Sequence, residues 1–200
     1  MKLYYAPGAC SLAVHAVLRE AGIAFQLEKV DLQSKQTEHG RNYLEVNPKG
    51  SVPALQLDSG DVLTEAVVCL QYVADMAPGK RLAPASGTMA RYRLMEWLNY
   101  IAVELHKTFG PLFHGASPGR REEVVKMLST RFDYVAGQLT GSDYLTGPDF
   151  TVADAYLYAV LNWTHFLKVD ITPWPALGDF LARLSRRASV QDAKKAEKPR

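Results

Sequence analysis

A stretch rich in proline, glycine and alanine at residues 77–87 constrains the fold more than any other part of the sequence. These residue types favour turns and loops, so the stretch divides the chain. Before it, strand patterns alternate with helix patterns, and after it only helix patterns remain. The sequence therefore predicts two domains, residues 1–80 and residues 87–200, joined by a linker at residues 81–86.

The first domain is predicted to contain a small sheet with helices on both faces. Short strands are indicated by apolar or alternating patterns at residues 2–5, 25–30, 53–57 and 62–64. Helical periodicity is found at residues 11–20, 37–46 and 65–76. The run Asp58-Ser59-Gly60-Asp61 suits a tight turn between the last two strands. The predicted order of elements is βαβαββα.

The second domain is predicted to be all-helical. Its helix patterns cover residues 88–108, 118–139, 152–167 and 174–185. The first of these helices is expected to bury a stripe formed by Tyr92, Met95, Leu98, Ala102, Leu105 and Phe109. Thr151 and Asp154 have the spacing of a capping box at the start of the third helix. The basic run at residues 194–200 is expected to be a frayed, solvated tail.

Composition excludes several classes of protein. Apolar residues make up 48% of the chain and charged residues 22%, as in soluble globular proteins. The formal net charge is +2 and no apolar run is long enough to cross a membrane, so we expect neither a nucleic-acid nor a membrane partner. The N-terminus lacks a secretory signal pattern, which favours a cytoplasmic location. Cys10 and Cys69 are too few for a disulfide framework or a metal site.

Cys10 is the residue whose position most favours chemistry. A strand ends at Pro7-Gly8, and a helix pattern begins at Ser11. The free N–H groups and positive dipole end of that helix would favour a thiolate at Cys10. The alternative is an inert, half-buried thiol, the common state of a free cysteine. Residue 13 is alanine, so the chain lacks a Cys-x-x-Cys pair and any redox chemistry would need an external thiol.

Two further segments of the first domain favour ligand binding. A cis bond at Val52-Pro53 would turn the Val52 backbone outward for pairing with an extended peptide, whereas a trans turn proline is the alternative. Glu65 lies where a helix begins. It either caps that helix or faces a ligand ammonium group while the Ala66 N–H receives a ligand carboxylate. On these residues alone, both pairs of alternatives stay open.

Together these elements resemble cytosolic glutathione transferases. Three segments resemble the bacterial beta class in particular, and they are Tyr5–Leu12, Asn47–Leu55 and Glu96–Lys107. The resemblance covers essentially the whole chain. It implies an α/β plus all-α fold, in which a thioredoxin-like βαβαββα domain is followed by an all-helical domain. It also implies a homodimer.

The resemblance implies glutathione, γ-Glu-Cys-Gly, as co-substrate, with no tightly bound cofactor and no metal. Glu65 and Ala66 would hold the γ-glutamyl end. Val52 would pair with the cysteinyl backbone, Lys35 would meet the glycyl carboxylate, and Cys10 would face the ligand sulfur. In the second domain the family implies glutathione contacts, some across a dimer interface, at Asn99, Val103, Glu104, Leu105 and His106.

Cys10 and His106 are the catalytic residues that the resemblance implies, as hydrogen-bond donors near the sulfur of glutathione. Other transferase classes use an early Tyr or Ser for this task, and Tyr5 and Ser11 are present. Both rank below Cys10, because the local match is to the cysteine-bearing class.

Two residues depart from the family pattern. Family members often carry Ser or Thr where this chain has Val103, and Ser or Gly where it has Ala66. A side-chain hydroxyl contact is therefore lost, although a backbone contact at Ala66 survives. We expect an altered affinity or substrate range rather than a loss of function.

The leading hypothesis is transfer of the glutathione thiolate to hydrophobic electrophiles. A second is glutathione-dependent thiol–disulfide exchange through a mixed disulfide with Cys10. A third is a non-enzymatic binding or regulatory module, against which the intact set of ligand residues argues. The electrophile is expected to bind between the domains, near Ala9, Phe109, Phe113, His114 and Trp163.

Overall fold

A computed structural model of the protein describes residues 1–198. Its strands are β1 (Lys2–Tyr5), β2 (Gln26–Asp31), β3 (Gln36–Thr37), β4 (Ala54–Gln56) and β5 (Val62–Thr64). Its first helices are α1 (Ser11–Ala21), α2 (Ala66–Met76), α3 (Met89–Tyr100), α4 (Lys107–Phe113) and α5 (Pro118–Leu139). The remaining helices are α6 (Val152–Leu161), α7 (Trp163–Leu167), α8 (Pro175–Ser185) and α9 (Ala188–Glu197).

The chain divides into two compact units. The first contains Met1–Ala83 together with the segment that begins at Arg187, and the second contains Pro84–Arg186. The first boundary lies within the predicted linker at residues 81–86. At the other end the division differs from the predicted one, since the residues from Arg187 belong to the first unit and not to the helical unit.

The first unit is built on a mixed sheet with the strand order β3-β2-β1-β4-β5. β1 is parallel to β2 and antiparallel to β4, and β4 pairs with β5 in the predicted hairpin. The hairpin turn is closed by the Leu57 N–H, which donates to the Asp61 carbonyl at 2.8 Å. The central position of β1 explains why Leu3 and Tyr4 are almost completely buried.

Residues 37–46 do not form the predicted helix. β3 occupies their beginning, and a single 3₁₀ turn, Tyr43–Glu45, follows after Gly40, whose φ is +77°. Of this segment only Thr37, Tyr43 and Val46 are buried, so it offers too little apolar surface to hold a helix on the sheet. The first unit therefore has the predicted fold class, but a turn replaces the second helix of the predicted βαβαββα order.

In its described part the basic C-terminal run is helical and not frayed, although the side chains of Lys194, Lys195, Ala196 and Lys198 are exposed as expected. Lys194–Glu197 belong to α9, which packs against α1. Val190 and Ala193 of α9 are fully buried. The rest of the predicted tail includes Pro199 and Arg200, which lie outside the described residues. The buried residues of α9 recur at helical spacing, but the high charge of the run hides this pattern in the sequence.

The second unit is helical, as predicted. The helix predicted at residues 118–139 forms a single helix, α5. The helix predicted at residues 88–108 is instead divided into α3, a π-helical turn (Ile101–His106) and the start of α4. The predicted core stripe is correct at Leu98, Leu105 and Phe109, which are fully buried. It is wrong at Tyr92 and Met95, which are 52% and 40% exposed. The buried face of α3 passes instead through Arg91 and Leu94, one residue earlier at each step.

The predicted capping box at the start of α6 is present. The Thr151 N–H and hydroxyl both donate to Asp154 Oδ2, at 2.8 and 2.9 Å, and the Leu145 N–H donates to Oδ1 at 2.8 Å. Asp154 is fully buried, and this burial raises the pKa of its carboxyl to about 6. The cap therefore joins the helix start to the preceding loop through one buried acid.

We expect Asp154→Asn to destabilise the protein by about 2 kcal/mol at pH 7, because the new NH₂ group opposes buried donors. Thr151→Ala, the milder control, should cost about 1 kcal/mol. Since the folded pKa of Asp154 is raised, its proton stabilises the folded state below pH ~4, and this contribution is lost as pH rises through ~6. The stability advantage of wild type over Asp154→Asn, measured by urea unfolding, should therefore grow between pH 7 and pH 5. A constant difference would contradict this assignment.

Candidate functional site

Cys10 lies at the N-terminal end of α1, as predicted. Its carbonyl accepts from the Ala13 N–H at 3.1 Å, which starts the helix. Its side chain is 6% exposed, and the thiol donates to the Val52 carbonyl at 3.2 Å. The thiol thus bridges the strand-to-helix turn and the loop that precedes β4.

The predicted thiolate at Cys10 is wrong for the ligand-free protein. The N–H groups of Cys10 and Ser11 do lower the thiol pKa, as the helix-end argument requires. Burial acts in the opposite direction and is the larger effect, and the negative charge of Glu65 adds to it. The net result raises the pKa of Cys10 to about 12. Cys10 is therefore a protonated hydrogen-bond donor at neutral pH.

Ser11 has a structural task that leaves its hydroxyl little freedom. The side chain is fully buried, and its oxygen lies 3.3 Å from both the N–H and the carbonyl of Ala6. These contacts close the turn that precedes α1. The geometry favours Cys10 over Ser11 as the group that faces a ligand.

The loop before β4 is anchored at the Ser51 carbonyl. The Tyr43 hydroxyl and the Asn47 side-chain amide each donate to that oxygen at 2.7 Å. The Val52-Pro53 bond is cis, which resolves the alternative left open by the sequence. The side chains of Tyr43 and Asn47 thus fix the path of the backbone on the N-terminal side of Val52.

The anchored loop contacts three of the predicted glutathione residues. Lys35 Nζ donates to the Gly50 carbonyl at 2.8 Å, and Cys10 reaches the Val52 carbonyl. Lys49 forms an ion pair with Glu65. A Cβ at Gly50, where φ is +63°, would lie 3.2 Å from Lys35 Cε, so a glycine is needed for this approach. The structure therefore brings Cys10, Lys35, Val52 and Glu65 to one loop.

Glu65 does not act as a side-chain cap for α2. Its carbonyl starts the helix by accepting from the N–H groups of Val68 and Cys69, at 3.1 and 3.0 Å. Among the described residues its carboxylate makes no capping hydrogen bond, and 65% of the side chain is exposed. The φ angle of Glu65 is +67°. The structure thus shows no side-chain capping hydrogen bond at Glu65, and the exposed carboxylate, paired with Lys49, is accessible to a ligand.

Lys49 is a residue that sequence reasoning missed. It lies within the Asn47–Leu55 segment, but no role is predicted for it from the sequence. Two features could have indicated one: it lies in a loop beside residues with predicted roles, and its charge is opposite to that of Glu65. Its ion pair with Glu65 is exposed on both sides, with 50% of the Lys49 side chain accessible.

His106 lies in the second unit, where an aromatic cluster holds its ring. His106 Nδ1 is 2.8 Å from the Tyr156 hydroxyl, and its ring contacts the edge of Trp163 with centroids 4.7 Å apart. Trp163 also contacts Phe113 and Phe109, at 5.0 and 5.6 Å. Phe113 is 49% exposed whereas Phe109 is fully buried. His106 is thus an oriented imidazole beside an apolar surface.

The other predicted residues of the second unit lie on or before the π-helical turn. Asn99 and Val103 are exposed, which leaves both free to meet a ligand or a second chain. The Glu104 carboxylate pairs with Arg131 of α5 at 2.7 Å. The Leu105 side chain is fully buried, so only its backbone could contact a ligand.

Neither a metal centre nor a membrane span is found in the part of the chain that the structure describes. No group of three or more His, Cys, Asp or Glu side chains in residues 1–198 is placed to hold a metal ion. No helix in that range combines the length and apolar character needed to cross a bilayer.

Comparison with known proteins identifies the family. Residues 8–76 match the family model of the glutathione S-transferase N-terminal domain, and residues 100–188 match that of the C-terminal domain. Glutathione S-transferase GstA of Escherichia coli O157:H7 is 46% identical over 98% of both chains. The chain belongs to the glutathione S-transferase family. The predicted family, fold class and class of enzyme are confirmed.

Solved structures place this transferase beside bacterial members of the family. It is similar to a sphingomonad glutathione S-transferase solved in complex with glutathione, with 44% identity, a TM-score of 0.95 and 98% of each chain covered. It is similar to the beta-class transferase of Sphingomonas chungbukensis, with 43% identity, a TM-score of 0.95 and the same coverage. These similarities agree with the beta-class resemblance of the sequence.

The raised pKa of Cys10 predicts how fast its thiol reacts in the free transferase. Because the thiolate is the reactive form, alkylation by iodoacetamide should be slow at pH 7 and should rise about ten-fold per pH unit. The rise should continue to pH 10 without a plateau, since the pKa is about 12. Mass spectrometry of the peptide that contains Cys10 measures the rate, and free glutathione, titrating lower, is the control. A plateau near pH 7 would show that Cys10 is a thiolate.

Proposed function

We propose that this glutathione S-transferase transfers the sulfur of glutathione to an electrophilic carbon of a hydrophobic small molecule. The observation that carries the proposal is the loop Lys49–Val52, in which Lys49, Gly50 and Val52 contact Glu65, Lys35 and Cys10 respectively. The residues that we assign to the two charged ends and to the sulfur of glutathione therefore all contact one short stretch of backbone. The complex of the sphingomonad relative with glutathione supports the same ligand.

The charges around the loop match those of glutathione. The tripeptide carries an ammonium and a carboxylate at its γ-glutamyl end and a second carboxylate at its glycyl end. Lys35 donates to the uncharged Gly50 carbonyl, so this contact leaves its positive charge for the glycyl carboxylate. Glu65 pairs with Lys49 in an exposed ion pair, worth about 0–1 kcal/mol, which a ligand ammonium can replace.

The backbone provides two further contacts in this proposal. The Ala66 N–H, at the first turn of α2, receives the γ-glutamyl carboxylate, since helix N-termini favour anions. Val52 pairs with the cysteinyl backbone as an added strand would. Because the contact at Ala66 is made by the backbone, it does not depend on the hydroxyl group that other family members carry there.

Cys10 acts as a hydrogen-bond donor to the sulfur of bound glutathione. The glutathione thiol loses its proton to solvent, its thiolate attacks the electrophilic carbon, and the leaving group departs with its bonding electron pair. A protonated Cys10 thiol can stabilise that thiolate, because a donor to the charged form lowers its pKa. This role needs the raised pKa of Cys10 that the free protein has.

The residues of the second unit complete the proposal. Asn99, Val103, Glu104, Leu105 and His106 are proposed to contact glutathione, with His106 a second donor to the thiolate. Phe113, which is 49% exposed and contacts Trp163 beside His106, provides apolar surface that suits a hydrophobic electrophile. Some of these contacts are proposed to cross the interface of a homodimer in the cytoplasm.

Thiol–disulfide exchange through Cys10 is less well supported. A pKa of about 12 leaves very little Cys10 thiolate at neutral pH to attack a disulfide. The reaction remains open if glutathione binding itself changes the environment of Cys10. Conjugation, whose nucleophile is the sulfur of the ligand, has no such requirement.

Replacing Cys10 separates the two reactions. With glutathione and a chloronitrobenzene, Cys10→Ala should retain conjugation at about a tenth or more of the wild-type kcat, since only one weak S–H donor near the thiolate is lost. Cys10→Ser keeps a donor and should lose less. Reduction of a mixed disulfide of glutathione should be abolished in both variants. Absorbance assays measure both rates.

Two outcomes would contradict this proposal. If wild type shows only the uncatalysed rate with every electrophile tried, the protein is not a conjugating enzyme. If Cys10→Ala abolishes conjugation while glutathione still binds, Cys10 is the nucleophile and the donor role is wrong.

The two lysines of the loop region provide a matched pair for testing ligand placement. Lys35→Met removes the cation assigned to the glycyl carboxylate and should raise the Kd for glutathione about ten-fold. Lys49→Met removes one positive charge from the same unit but frees Glu65, so the Kd should change less than about three-fold. Isothermal titration calorimetry measures both constants. Equal weakening by both variants would mean that only net charge matters.

A further inference from the structure

A buried carboxylate at the end of α9 has no role in the chemistry described above. Glu197 is 5% exposed, and Oε1 lies 2.9 Å from Nδ1 of His15, a fully buried residue of α1. Its other oxygen, Oε2, accepts from the Gly8 N–H at 3.0 Å. Gly8 precedes Cys10 by two residues, so Glu197 reaches the turn that carries the thiol.

The hydrogen bonds around His15 show which donors the Glu197 carboxylate accepts from. Arg19 Nε donates to His15 Nε2 at 2.9 Å, so that nitrogen is an acceptor. The ring hydrogen is therefore on Nδ1, and it is donated to Glu197. Glu197 thus accepts from two donors, the buried His15 ring at Oε1 and the partly buried Gly8 N–H at Oε2. A glutamine would place an NH₂ donor where one of these two oxygens lies, so one of the two bonds would be lost.

The other end of α9 is attached at a different place. Arg187 donates to both oxygens of Glu20, at 2.9 and 2.7 Å, and the Ser189 hydroxyl donates to Glu20 at 2.5 Å. Glu20 lies near the C-terminal end of α1, and Cys10 lies at its N-terminal end. Polar contacts thus join α9 to α1 near Glu20 and to the Cys10 turn at Glu197.

The conformation of the turn explains why such an attachment matters. Gly8 has φ of +72°, and the Ala9 N–H donates to the Ala6 carbonyl at 3.1 Å. The Gly8 N–H donates to the Glu197 carboxylate in a charge-assisted, partly buried hydrogen bond. Loss of the carboxylate would remove this bond from the turn.

We propose that Glu197 is a positioning residue for the Cys10 turn, acting from 189 positions further along the chain through the Gly8 N–H and His15. Its hydrogen bonds are made to Gly8 and His15, not to the Cys10 thiol. It holds residues 7–10 where the Cys10 thiol reaches the Val52 carbonyl. The step from this placement to catalysis rests on the proposed function, whereas the placement itself does not.

The test compares the two ends of α9 in the full-length protein. Glu197→Ala removes both acceptors, Glu197→Gln retains one, and Arg187→Met breaks the attachment at Glu20 as a matched control. Amide hydrogen exchange of residues 8–11 reports the turn directly. Glu197→Ala should accelerate this exchange about ten-fold or more, Glu197→Gln less, and Arg187→Met not beyond its effect on overall stability.

Kinetics give a second readout. A displaced Cys10 should impair the step at sulfur, so kcat for conjugation should fall about ten-fold in Glu197→Ala, while KM for glutathione changes less than three-fold. Arg187→Met should leave both constants near the wild-type values. A partial recovery of kcat in Glu197→Gln supports positioning.

The proposal is overturned if Glu197→Ala and Arg187→Met accelerate exchange at residues 8–11 equally at matched stability, because α9 is then only a structural cover. It is also overturned if the Glu197 variants exchange like wild type. Should Glu197→Ala fail to fold, Glu197→Gln provides the same comparison. If wild type has no conjugating activity, the proposed function fails while the exchange data still decide the role of Glu197.

Discussion

The Ser51 carbonyl is the point on which the arrangement of the first unit depends. It accepts two hydrogen bonds at 2.7 Å, from the Tyr43 hydroxyl and the Asn47 amide. Tyr43 is completely buried, so its hydroxyl can hold the loop without competition from water. Because Ser51 lies between Gly50 and Val52, fixing it also fixes the carbonyls that Lys35 and Cys10 contact. A buried aromatic residue outside the predicted ligand set thus determines the geometry of that set.

Cys10 shows how burial and helix position compete at a single group. The helix-end N–H groups act on the thiol in the predicted direction, but desolvation of a charge in the interior outweighs them. The competition changes the chemistry that the site favours. A thiolate would be a nucleophile, whereas a buried thiol is a donor, and a donor suits the stabilisation of a thiolate on a ligand. The electrostatics therefore favour conjugation over disulfide exchange.

Local patterns predicted the elements that depend on local chemistry, and they failed where the cause is distant. The hairpin at Asp58–Asp61 and the cap at Thr151 follow from residues a few positions apart, and both are present. The predicted helix at residues 37–46 does not form because this segment buries too little apolar surface against the sheet. How much it buries depends on how the strands pack, which local sequence does not show. Glu197 was assigned to a solvated tail because its partners, His15 and Gly8, lie 182 and 189 positions away.

Backbone conformation adds an independent argument for the ligand roles of Lys35 and Glu65. Both have positive φ, +57° and +67°, in a region that costs a residue with a Cβ about 1–2 kcal/mol and that glycine adopts freely. Backbone hydrogen bonds hold each residue there. The Tyr43 N–H donates to the Lys35 carbonyl, and the Cys69 N–H donates to the Glu65 carbonyl. Glycine would relieve the cost at either position but would remove the charge. A cation and an anion on unfavourable backbone, each in contact with the Lys49–Val52 loop, fit the proposed binding of a zwitterionic ligand with an extra carboxylate.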